Sequence, residues 1–235
     1  FRILSSSSSV STETSSASVS SLTMQESTAK NLEKFLYTTS KPDDVVHTCV
    51  VVLDRKHAVS FRHGHHSLFQ RGEKVVLYNV LDPEVQVESA VCAISDNYDI
   101  VVFKLLSGEF ANWPLPLGTM FCGQSYKQLG ISPDRQPSWK DGTVSEKHVG
   151  FYLGTSHGKR GESGSSIFTD YGHLLGISIA KKNFAFSDLG NTPLGEVADH
   201  HPDTQIISTD AIFGMSDIMG SDFEPFEKKH KADEM

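Results

Sequence analysis

Cysteine is scarce in this chain. Cys49, Cys92 and Cys122 are its three cysteines, none in CxxC spacing, which argues against a disulfide framework or a zinc knuckle and allows one bridge at most. Three small buried thiols in a reducing compartment are the simplest expectation. Basic charge is also short: 21 Lys and Arg against 29 Asp and Glu leave a net charge of -8 over 235 residues. That balance supplies no basic face for a phosphate backbone, so nucleic acid is not an expected partner. No run approaches the roughly 20 apolar residues of a membrane-spanning helix, and no membrane partner is expected either.

What is present describes a folding chain. With 38% hydrophobic and 21% charged residues, the composition supports one or two packed cores. The ends are different. Residues 1–24 are dominated by Ser and Thr, with Ser5 to Ser9 unbroken, and carry too little apolar surface to offset chain entropy, so a disordered leader is expected. Residues 221–235 are charged and read as a loose tail. A helix is expected over Gln25 to Tyr37, with Leu32, Phe35 and Leu36 on one face.

Between those ends short strands dominate. Val45 to Asp54, His57 to Phe61, Glu73 to Val80, Glu84 to Ile94 and Asp99 to Leu105 are rich in Val and Ile and separated by turns. Ser107 to Gly118, with two glycines and two prolines, reads as a linker. Phe121 to Leu129, Trp139 to Glu146, Val149 to Thr155, Ser166 to Thr169, His173 to Lys181 and Gln205 to Ser208 continue the pattern, and Ser208 or Thr209 can cap a helix reaching Met219. Two β units in tandem follow, one over residues 25–113 and one over 114–220.

The segment Gly161-Glu162-Ser163-Gly164 carries the chemistry. It lies downstream of His63, which closes Val59-Ser60-Phe61-Arg62-His63, and of Asp99, which opens Asp99-Ile100-Val101-Val102-Phe103-Lys104-Leu105. A serine hydroxyl becomes a good nucleophile when an imidazole takes its proton and a carboxylate orients and charge-balances that imidazole. A GxSG tetrad alone is weak. The hydrolase elbow GxSxG is excluded, since position 165 is Ser and the other two candidates lie upstream. Asp99 also ends the turn-like Asp96-Asn97-Tyr98-Asp99. His57, His63 and His65 all compete for the base, with strand register favouring His63. His63 and His65 would share a face on an extended segment, but no carboxylate or cysteine is placed to complete a metal site, so neither metal nor cofactor is expected.

These segments resemble the chymotrypsin-like (trypsin-like) serine peptidases, including the bacterial high-temperature-requirement proteases. In that family the histidine closes V-S-A-A-H or V-T-N-A-H, the aspartate opens D-I-A-L-L-K-L, and the nucleophile sits in G-D-S-G-G or G-N-S-G-G. Gly172-His173-Leu174-Leu175-Gly176-Ile177 looks like the family's G-x-L-x-G-I strand. The resemblance spans Val45 to Met219 and implies an all-β fold of two six-stranded antiparallel barrels with a C-terminal helix. The family's cysteine beside the histidine is Gly64 here, no I-V-G-G activation terminus is present, and the acid before the nucleophile is Glu162. His157 stands where trypsin has its pocket aspartate, so cleavage after Lys or Arg is not implied.

By this resemblance the chain is a serine endopeptidase acting on a polypeptide through an acyl-enzyme. His63, Asp99 and Ser163 are the expected triad, with the Gly161 and Ser163 N–H groups as oxyanion donors. Ile179, Ala180 and Lys181 are expected to pair with the substrate strand, and His157, Gly158 and Lys181 to line the specificity pocket. The alternative is a protease-fold binding module, since Glu162 and Phe61-Arg62 depart from the family pattern.

Overall fold

The computed structural model describes residues 24–116, 119–156, 162–179 and 203–215. Helix α1 (Glu26–Glu33) is followed by β1 (Leu36–Thr38), β2 (Cys49–Val52), β3 (His57–Phe61), a 3₁₀ turn (Gly64–Leu68), β4 (Lys74–Asn79), β5 (Gln86–Ser95) and β6 (Ile100–Leu105). These six strands close into an antiparallel barrel in the order β1-β2-β3-β6-β5-β4. Strands β7 (Ser125–Ile131), β8 (Pro137–Lys147), β9 (Tyr152–Gly154), β10 (Ser166–Phe168), β11 (Leu174–Ile179) and β12 (Thr204–Ser208) close a second, ordered β10-β11-β12-β9-β8-β7. Helix α2 (Thr209–Phe213) follows, its first turn capped by Ser208 Oγ accepting from the Ala211 N–H. Two six-stranded barrels and a C-terminal helix are therefore the architecture.

The unbroken apolar runs have a physical cause in strand alternation, because successive side chains point to opposite faces. In β2 and its extension, Val50 and Val52 enter the core of the first barrel, while Cys49, Val51 and Leu53 enter a second core. Strand β6 does the same, with Val101, Phe103 and Leu105 on one side and Ile100 and Val102 on the other. That second core also takes Leu129, Ile131, Phe168, Leu174 and Ile177 from the other barrel. It is the seam between the barrels. Strand β5 is less deeply buried: its burial alternates from Ser89 to Ile94, with Val91 in the first-barrel core and Ala93 in the second.

Four expectations about elements need correction, and one about the thiols: Cys49 is buried, but Cys92 is half-buried and Cys122 is exposed. The helix ends at Glu33 rather than continuing to Tyr37, because Leu36–Thr38 are needed as a strand that pairs with both β2 and β4 to close the barrel. Val45 and Val46 are not in a strand but in an exposed loop, and β2 begins only at Cys49. Val149 likewise lies in a turn, fully exposed, before β9 begins at Tyr152. Helix α2 stops at Phe213, with Gly214 at its C-cap, short of Met219. The expected leader before Met24 and the tail after residue 220 lie outside the described residues.

Candidate active site

His63 and Asp99 are brought together by strand pairing. In the β3–β6 ladder Phe61 lies opposite Ile100, so the two residues just beyond these positions emerge at one end of the first barrel. The Arg62 N–H donates to the Asp99 carbonyl at 2.7 Å and ties the two segments. Asp99 adopts φ of +54°, a left-handed conformation that aspartate tolerates better than most residues. The turn that Asp99 ends is thus also what aims its carboxylate at His63. Asp99 Oδ2 lies 2.5 Å from His63 Nδ1.

Ser163 arrives from the other barrel, just before β10, and is 4% exposed. Its Oγ lies 3.1 Å from His63 Nε2, so hydroxyl and carboxylate approach opposite nitrogens of one ring. The Phe61 ring lies against the imidazole at 4.5 Å between centroids. Of the competing histidines, His57 is bound by the Asp54 carboxylate at 3.0 Å. His65 sits on the 3₁₀ turn rather than on an extended segment, and lines an open cavity of about 610 Å³ with Val45, Val46, Phe69 and Tyr78.

The turn carrying Ser163 is pinned through the residue before it. The Glu162 carbonyl accepts from the Ser165 hydroxyl at 2.6 Å, the Ser178 hydroxyl at 3.1 Å and the Ser165 N–H at 3.1 Å. In a trans peptide the carbonyl and the following N–H point in opposite directions, so these bonds fix the Ser163 N–H as well. The Gly164 N–H donates to the Ser178 carbonyl at 2.7 Å, and the Ser178 N–H to the Ser165 carbonyl at 2.8 Å. The Glu162 carboxylate meets Lys140 Nζ at 2.5 Å from either oxygen. Nothing in the local pattern around Lys140 signals this pair, nor the part played by Ser178, because both depend on contacts far apart in sequence. Of the expected substrate contacts, Ile179 is buried at the end of β11, whereas His157, Gly158, Gly161, Ala180 and Lys181 lie outside the described residues.

Titration near the site is governed by burial. Desolvation pushes the Cys49 thiol up to about 11, with its sulfur 3.7 Å from Ser165 Oγ, so no thiolate forms there at neutral pH. His66 is buried between the Phe61 and Phe69 rings. Its Nδ1 faces the Phe61 carbonyl at 2.8 Å and must be the protonated nitrogen, leaving Nε2 to accept from Thr39 Oγ1 at 2.8 Å. Desolvation, aided by the charges of His63, His65 and Arg62, lowers its pKa to about 4 against the opposing Phe61 bond. Between pH 6.5 and 4 the unfolded chain binds this proton and the folded chain does not, so stability falls as pH falls through that window. About 3 kcal/mol is at stake. The unfolding free energy, measured in urea from pH 7 to 4.5, is expected to drop by a larger amount for the native protein than for a His66→Gln variant. Equal slopes would contradict the assignment.

With two closed barrels and the His63–Asp99–Ser163 contacts at their junction, the architecture is decided. The fold is that of the chymotrypsin-like serine proteases. Among solved structures, the chymotrypsin-like fold here is similar to an inactive form of Rv3671c from M. tuberculosis, at 12% identity and a TM-score of 0.59 over 84% of this chain and 93% of that one. It is similar to the MamO protease domain of Magnetospirillum magneticum, at 12% identity and a TM-score of 0.56 over 78% and 96%. A serine endoprotease from Yersinia pestis gives 13% identity and a TM-score of 0.59 over 80% and 64%. No protein-family model and no curated protein sequence matches the chain. At these identities the chymotrypsin-like fold is shared and the chemistry must be argued from the residues.

Proposed function

We propose that the chain is a serine endopeptidase that cuts polypeptides through an acyl-enzyme. The observation that carries the reading is the alignment of Asp99 Oδ2, the two His63 nitrogens and Ser163 Oγ, at 2.5 and 3.1 Å. In the first half-reaction Ser163 Oγ bonds to the scissile carbonyl carbon while His63 Nε2 takes the hydroxyl proton. Asp99 accepts from Nδ1 and stabilises the imidazolium. His63 then gives the proton to the leaving nitrogen as the C–N bond breaks. Water attacks the ester by the same route, releasing the acid and restoring Ser163.

The oxygen that becomes negative needs donors fixed in advance, and the N–H groups of Ser163 and Gly161 are assigned that role. The fixed Glu162 carbonyl supports the Ser163 half of it. The substrate chain is assigned to pair along Ile179, Ala180 and Lys181, where main-chain bonds hold a peptide with little regard to its sequence. His157, Gly158 and Lys181 are assigned to the pocket, which favours a polar or acidic side chain before the cut.

Profiling cleavage of a peptide library tests both parts. The expected result is internal cleavage that disappears in Ser163→Ala, enriched for acidic or polar residues at the position before the cut. Cleavage that survives Ser163→Ala would overturn the mechanism, and strict preference for Arg or Lys would overturn the pocket assignment.

A further inference from the structure

Helix α1 has eight residues, too few to be stable alone in water. It forms because it docks on the second barrel before its chain enters the first. Leu32 is buried in the core between the barrels, with Met24 and Phe35 packed against it. Thr28 and Leu32 lie beside Gly172, in the turn that joins β10 to β11. At the end of the helix, Glu33 Oε1 accepts from Trp139 Nε1 at 2.8 Å. Trp139 also lies against Phe168, with centroids 6.1 Å apart.

Trp139 is adjacent to Lys140 on β8. Neighbouring strand residues point to opposite faces, so one residue engages α1 and the other reaches the Glu162 carboxylate at 2.5 Å. That lysine and carboxylate are mostly buried, with side-chain exposures of 22% and 14%, where an ion pair is screened less than at the surface. Glu162 is the residue whose carbonyl direction sets the Ser163 N–H. We infer that Trp139-Lys140 is a relay that ties α1 to the nucleophile turn, with Lys140 as a positioning residue, so that docking of α1 sets the reactivity of Ser163. The kinetic side of this inference rests on the endopeptidase reading, while its structural side does not.

Two measurements test it on the full chain. One is the rate of fluorophosphonate labelling together with kcat and KM on a cleaved peptide. The other is hydrogen exchange at the Gly164 and Ser165 amides, which needs no activity. Lys140→Met is expected to lower labelling and kcat by about 30-fold with KM changed less than about twofold, as a displacement below 1 Å at the reacting atoms would. Lys140→Arg keeps the charge and is expected to stay within about threefold of the native rate. Glu33→Ala, at the end of the helix and remote from the reacting atoms, is expected to lower kcat about fivefold by loosening α1. In both Lys140→Met and Glu33→Ala the two amides are expected to exchange about tenfold faster. If Lys140→Met folds but its exchange matches that of the native protein, the relay is wrong. Failure of Lys140→Arg to restore the rate, or native exchange in Glu33→Ala, would also overturn it. A native protein that exchanges as expected yet resists labelling would sink the endopeptidase reading and leave the relay standing.

Discussion

Replacing Asp99 with Asn is expected to lower kcat by about 10⁴-fold while leaving the fold intact. The side chains are nearly equal in size, and asparagine accepts the left-handed backbone that Asp99 holds at φ of +54°. The loss is one of proton placement. The carboxylate beside His63 Nδ1 can only accept, which leaves Nε2 bare and facing Ser163 Oγ. An amide there can donate its N–H instead, which puts the ring proton on Nε2 and removes the base. Steady-state kinetics beside a thermal unfolding curve decides the matter. A folded Asp99→Asn variant with more than about a tenth of native kcat would show that Asp99 only completes a turn.

Gly164→Ala is expected to damage stability and activity together. Gly164 has φ of +84°, and an added Cβ would lie 2.4 Å from the Cys49 carbonyl oxygen and 3.0 Å from Phe61 Cδ1. The backbone conformation alone costs a side chain about 1–2 kcal/mol. The collision with a main-chain atom of β2 cannot be relieved by a rotamer change, so a total of about 3 kcal/mol or more is expected. Gly123 is the control: its φ is +87° with nothing within 4 Å of an added Cβ, so Gly123→Ala should cost only the backbone part, about 1 kcal/mol. Because the turn carrying Ser163 must shift to make room, a further loss of about 10²-fold in kcat is expected from whatever Gly164→Ala protein remains folded. Urea unfolding of both variants, with kcat for Gly164→Ala, checks the contrast. Equal destabilisation of the two would mean that the close approach of the barrels at Gly164 is not as described.

The strands were legible because their two-sided burial writes itself as unbroken Val and Ile. Cys49 to Leu53 and Ile100 to Leu105 supply both the first-barrel core and the seam, and such runs stand out in any reading of composition. Strand β1 was not legible. Leu32, Phe35 and Leu36 have helical spacing, and only the need to close the barrel between β2 and β4 converts Leu36–Thr38 to a strand. Val45, Val46 and Val149 misled in the opposite direction, since an apolar residue in a loop looks like the start of a strand until its exposure is known.

The candidate site was legible at the three residues whose neighbours repeat a family pattern. The surrounding supports were not. Glu162 stood out only as an unusual acid beside Ser163, and its partner Lys140 lies 22 residues earlier. Ser178 looks like any small residue of an apolar strand, yet its hydroxyl and its carbonyl both hold the turn that carries Ser163. Such contacts are made by barrel closure and leave no periodic trace in the chain.

The most direct test of the whole account is a covalent one: incubate the folded protein with a fluorophosphonate and locate the added mass by peptide mapping. A single adduct on Ser163, absent from Ser163→Ala and slowed by about 10³-fold or more in His63→Ala, is the predicted result. Folded native protein that takes up no label, or takes it up at another serine, would contradict the claim that these three side chains make one reactive hydroxyl.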